Sequence, residues 1–107
     1  MTDAPMHLIQ ILLPIYDNEG HEFPHELYRA IGDELVKRFK GLTAFTRAPA
    51  EGLWVPPGRQ AKRDDIAVFE VMVAEIDEAW WANYRERLEK RLRQQSIVIR
   101  SYPIQLL

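Results

Sequence analysis

The sequence predicts an α+β fold with four strands and two helices in the order β-α-β-β-α-β. Two observations carry this. The stretches "MHLIQILLPIY", "DIAVFEVMVAEI" and "SIVIRSYPIQLL" place apolar residues with period two, as strands do, and turn residues bound them. Two intervening stretches instead repeat apolar residues at helical spacing, as helices packed on one side do.

In the first strand, Ile9, Ile11, Leu13 and Ile15 point one way, and Leu8, Gln10, Leu12 and Tyr16 the other. "DNEG" then makes a turn. Pro24 suits the first turn of the first helix, where its missing N–H costs nothing. Tyr28, Ile31, Leu35 and Phe39 form the apolar stripe of that helix. Asp33–Lys37 and Glu34–Arg38 are i,i+4 pairs on its wet side, and Gly41 is placed to cap its end. "LTAFTRA" is a short second strand. The third strand sets Ala67, Phe69, Val71 and Val73 on one face, with Ile66, Val68, Glu70 and Met72 on the other. Asp77 is a fitting N-cap for the second helix. Trp81, Tyr84, Leu88 and Leu92 form its stripe, with Glu86–Lys90 and Glu89–Arg93 in support. Trp80, about 100° round from Trp81, is expected near the sheet's end or a loop. The last stretch closes the chain as a strand with an apolar tail.

This order is the split βαβ, or ferredoxin-like, pattern. Right-handed crossovers favour the antiparallel strand order 4-1-3-2 with both helices on one face. One domain is expected over residues 1–107. Its unusual part is the connection between the second and third strands, at about 49–63, within "AEGLWVPPGRQAKRDD". Hairpin connections normally take about two to five residues.

Composition excludes several classes of function. A net charge of −2 gives no electrostatic case for nucleic acid or an anionic membrane surface. The aromatic pattern of RNA-recognition sheets is missing from the strands. The absence of Cys removes disulfides, thiolate catalysis and Cys-ligated zinc, and fits a reducing cytoplasm. The apolar run Met6–Tyr16 is too short to span a bilayer and lacks the marks of a signal sequence. The expectation is a soluble, cytoplasmic protein.

Two helices cover only one face of a four-stranded sheet, yet the other face also reads apolar, with Leu8, Leu12, Ile66, Val68, Met72 and Val98. Such a patch is unusual on a soluble monomer. A second copy packed sheet to sheet about a two-fold axis is the economical cover, making the protein a homodimer. The tail residues Ile104, Leu106 and Leu107 would add to it. The alternative is that the long loop folds back under the sheet of a monomer.

The element order, length and double-sided strands resemble the dimeric α+β barrel superfamily. "GLW" at Gly52-Leu53-Trp54, followed by Asp64-Asp65 before a strand, is similar to short bacterial proteins of uncharacterised function. The resemblance implies a ferredoxin-like scaffold with a cavity between sheets. Members of the superfamily include monooxygenases, dehydratases, decarboxylases and proteins with no known activity, so function is argued from the site.

Parity gathers a polar set on the uncovered face: Gln10 and Tyr16, Glu70, and Arg100 and Tyr102. Glu70 or Tyr16 would serve for proton transfer, since a carboxylate in apolar surroundings is the usual form of a general base. Arg100 or Arg47 would take an anionic group. The plainer reading is a buried network that fixes dimer register. Trp54 and Arg59 in the loop would form a lid over a ligand or anchor a partner subunit. "HEFPH", residues 21–25, satisfies the zinc pattern H-E-x-x-H literally, but Pro24 bars two histidines from sharing a helix face there. The residues Arg85, Arg87, Lys90, Arg91 and Arg93 form a solvated face that complements the helix dipole. No metal or organic cofactor is called for. The chain is expected to bind or transform a small, partly apolar organic molecule on the sheet face; the alternative is a non-catalytic interaction or structural dimer module.

Overall fold

The computed structural model of the chain describes residues 6–47 and 66–107. Its elements run β1 (Met6–Pro14), α1 (His25–Phe39), β2 (Thr43–Arg47), β3 (Ile66–Val73), α2 (Glu78–Arg91) and β4 (Val98–Ile104). The strands pair antiparallel in one sheet ordered β2-β3-β1-β4, which is compatible with a ferredoxin-like arrangement. The two strands with apolar residues on both faces, β1 and β3, occupy the middle of the sheet.

One buried cluster joins both helices to the same sheet face. Ile9, Ile11 and Leu13 of β1 and Ala67, Phe69, Val71 and Val73 of β3 meet Ile31 and Leu35 of α1 and Trp81, Tyr84 and Leu88 of α2. The register Ile9↔Val71, Ile11↔Phe69, Leu13↔Ala67 keeps the period-two alternation in step across the two strands. Full burial of a Leu or Ile side chain stabilises by about 1.5–3 kcal/mol, so these residues dominate the fold. Gly32 lets α1 approach closely: a Cβ there would lie 3.3 Å from Leu42 Cδ2 and 3.8 Å from Phe69 Cε2.

Several local details differ from the sequence reading. β1 ends at Pro14, not Tyr16. Ile15 and Tyr16 belong to a small reversal in which the Phe23 N–H donates to the Ile15 carbonyl at 2.9 Å and Tyr16 bridges Glu22. Asp17 organises this turn by accepting from the backbone N–H groups of His21 at 2.9 Å and Glu19 at 2.8 Å. The His21 N–H, then that of Glu19, holds its carboxyl below the usual range. Gly20 supplies the left-handed residue, with φ 85°.

Pro24 sits at the N-cap of α1 in extended backbone, and the helix proper begins one residue later at His25. At the other end, Lys40 and not Gly41 takes the left-handed conformation, with φ 60°. The Lys40 N–H reaches the Val36 carbonyl at 2.7 Å, so the helix has already closed before Gly41. In α2, Asp77 Oδ1 accepts from the Trp80 N–H at 3.0 Å, as its N-cap position requires.

The helices are also tied to each other by polar contacts that i,i+4 spacing does not foresee. Glu34 is held by Arg91 Nη1 at 2.9 and 3.1 Å and accepts from the Tyr84 hydroxyl at 3.0 Å. Within α2, Glu89 lies 3.8 Å from Arg85, and it accepts from the Ile97 N–H at 2.9 Å, tying the helix to the segment before β4. Arg93, with φ 54°, has already left the helix. Trp80 packs against Phe39 of α1 edge-on at 5.3 Å, with the Arg38 guanidinium 4.3 Å from its ring centroid. It therefore belongs to the helix layer, not to a loop.

Candidate functional site on the open sheet face

The polar row is built by strand register. Gln10 stands opposite Glu70 on one side and Arg100 on the other, so one line of Cα atoms crosses β3, β1 and β4. Directly opposed residues share a sheet face, and the side chains connect. Gln10 Nε2 donates to Glu70 Oε2 at 2.6 Å, and Arg100 Nε donates to Gln10 Oε1 at 2.8 Å. The chemistry fixes the amide's orientation: reversed, it would set N–H against guanidinium and oxygen against carboxylate. Hydrogen bonds to charged groups contribute about 1.5–3 kcal/mol each, and each of these has one charged partner.

Register adds a residue that parity alone missed. Thr43 of β2 pairs with Glu70 and extends the row at its acidic end. The alternation Thr43, Phe45, Arg47 in "TAFTR" held this signal, but it needed the β2–β3 offset, which no short motif supplies.

Apolar rows flank the polar one. On one side Tyr102, Leu8 and Met72 align across the strands; on the other, Val98, Leu12 and Val68 do so. Exposure across this face is uneven. Met72 is 53% exposed, Val98 49% and Tyr102 41%, whereas Val68 is 3% exposed. The exposed apolar residues thus lie on both sides of β1, with Met72 on β3 and Val98 and Tyr102 on β4. Leu106 and Leu107 of the tail are exposed as well.

The other expected site residues fall as follows. Tyr102 lies on the row next to Arg100. Tyr16 is not brought to the row, because β1 stops short of it and parity no longer governs its direction. Arg47 ends β2 in register with Ile66, while its side chain lies outside the described part. Trp54 and Arg59, with the rest of the long loop, lie outside the described residues. His21 belongs to the turn before α1 and His25 opens the helix, so the two do not stand one turn apart on a helical face. Among the described residues no cluster of three or more His, Asp or Glu could hold a metal ion, and no helix is long and apolar enough to cross a membrane.

Among the described residues, clefts also lie away from this face. One, of about 430 Å3, runs between the helices beside Lys37, Arg38, Trp80 and Arg87. Another, of about 330 Å3, lies between the Asp17 turn and the end of α2, beside Phe23 and Arg91. A further one, of about 260 Å3, lies between α2 and β4 beside Trp81 and Arg85. The chain matches no protein-family model, no curated protein and no solved structure.

Proposed function

We propose that the sheet face opposite the helices is an interaction surface covered by a second copy of this chain. The observation that carries the reading is the hydrogen-bonded Glu70–Gln10–Arg100 row set between apolar rows in which Met72, Val98 and Tyr102 stand exposed. Apolar flanks supply the driving force for association. A central polar row specifies one register, because a slipped partner would bury its charges against apolar side chains. The element order and the double-sided β1 and β3 fit the same picture.

A second reading keeps a small, partly apolar organic anion as the occupant. Arg100 favours it, being an exposed guanidinium that meets Gln10 through Nε. Guanidinium forks recognise carboxylates and phosphates. Glu70 would then be the proton-transfer group and Tyr102 a wall of the site.

Light scattering at micromolar concentration tests the first reading. The expected mass is that of two chains; a single-chain mass throughout would overturn it. Met72→Lys on the exposed row is expected to weaken association by roughly tenfold or more, about 1.4 kcal/mol per tenfold. Its helical circular dichroism should stay unchanged, because Met72 lies outside the core.

A further inference from the structure

The polar row has a direction, and a face that meets its own copy must cope with it. Across the strands the row reads acid, amide, base: Glu70 on β3, Gln10 on β1, Arg100 on β4. A two-fold axis between two facing sheets admits two aligned packings. With the axis running along the strands, left and right exchange, and Glu70 of one copy faces Arg100 of the other. With the axis running across the strands, each row lies on itself, so Glu70 meets Glu70 and Arg100 meets Arg100. Like charges brought together away from water are strongly unfavourable, while opposite charges attract.

We infer that the two copies pair about an axis parallel to β1 and lying over Gln10, so that Arg100 of each chain completes the row of the other by facing its Glu70. This rests on the reading that a second copy covers the sheet. Two further observations agree with it. The same operation sets Tyr102 of one copy over Met72 of the other, a favourable sulfur–aromatic combination, at two symmetric places. It also centres the contact on β1, which lies between the exposed Met72 of β3 and the exposed Val98 and Tyr102 of β4. Each half of the polar site is therefore incomplete in a single chain. The charge that balances Glu70 comes both through Gln10 within the chain and directly from the second copy.

Neutral variants separate the two packings. Sedimentation equilibrium is run on the wild type, Glu70→Gln, Arg100→Gln and the swap Glu70→Arg with Arg100→Glu. The inferred packing predicts that each single variant raises the dimer dissociation constant by roughly tenfold, and that the swap recovers most of the loss. If either single variant instead tightens the dimer, like charges face each other and the inferred axis is wrong, although the dimer itself stands. If the wild type sediments as one chain at every concentration, the dimer reading falls and this inference with it. A cysteine pair checks geometry independently of charge, since the chain has no native Cys. Facing sheets lie about 10 Å apart, beyond the reach of a direct disulfide, so a short bis-maleimide linker is used, with which a mixture of Glu70→Cys and Arg100→Cys chains should cross-link as heterodimers. Efficient cross-linking of Glu70→Cys chains to themselves would overturn the proposed axis.

Discussion

Tyr28 and Tyr84 carry hydroxyl groups into the seams of the fold. The Tyr28 hydroxyl donates to the Pro14 carbonyl at the end of β1, and the Tyr84 hydroxyl donates to Glu34. Partial burial, then the charge of Glu22, pushes Tyr28 up to about 12. Burial first and Glu34 second push Tyr84 higher still. In the unfolded chain both ionise near the ordinary tyrosine value of 10.0. Folding therefore holds their protons, and the stability this provides is complete below pH 10 and is lost as pH rises toward 12 and beyond. Absorbance titration at 295 nm should show these two rings ionising late and together with unfolding, and Tyr28→Phe should remove its share of the alkaline transition. Neither shift was legible in the sequence, because each depends on a partner far along the chain. By contrast, the placement of Gln10, Glu70 and Arg100 on one face was legible, since period-two alternation fixes a strand residue's side without knowledge of its neighbours. Tyr16 shows the limit: it lies two residues beyond the last strand residue, where the alternation no longer fixes a side chain's direction.

At the scale of elements, the helices show which local signals are strong. Asp77 acts where a side-chain cap is needed, and the apolar stripes of both helices bury as their spacing requires. The end of α1 was less legible, because a glycine one position too late attracts the assignment. Lys40 takes the left-handed turn instead, at φ 60°. A non-glycine residue pays about 1–2 kcal/mol there, while glycine costs about 0.5–1 kcal/mol in unfolded-chain entropy. Lys40→Gly is thus expected to stabilise the protein by up to roughly 1 kcal/mol, read as a higher urea midpoint with an unchanged m-value. Ion pairs were the least legible element feature. Glu34 had a candidate partner at Arg38 on its own helix, but Arg91 Nη1 of α2 donates to both of its carboxylate oxygens, while Arg38 lies 3.8 Å from Asp77.

At the scale of the whole molecule, the α+β class and the pairing of β1 between β3 and β4 follow from which strands are apolar on both faces and from the handedness of crossovers. What the sequence did not decide is what lies on the second face, since an apolar face is equally suited to a partner and to a ligand. A melting series separates these occupants. If a second copy covers the sheet, the melting temperature rises with protein concentration, because dimerisation stabilises only the folded chain. If a small organic anion is the occupant, the melting temperature is independent of protein concentration and rises instead with added carboxylates. Either outcome identifies the contact that the exposed Met72, Val98 and Tyr102 await.

The aromatic cluster at the helix interface has an optical consequence. Trp80 and Trp81 stand edge to face at 4.7 Å, with Phe39 and Tyr84 against them. They are two of the chain's three tryptophans. Rings this close couple their excited states, and the contacts of both tryptophans with Phe39 exist only while α2 stays docked on α1. The near-ultraviolet circular dichroism of this pair is therefore a gauge of the helix layer, placed on the opposite side of the sheet from the polar row. It can certify that a variant of Glu70, Arg100 or Met72 has kept its fold while its association is measured by other means.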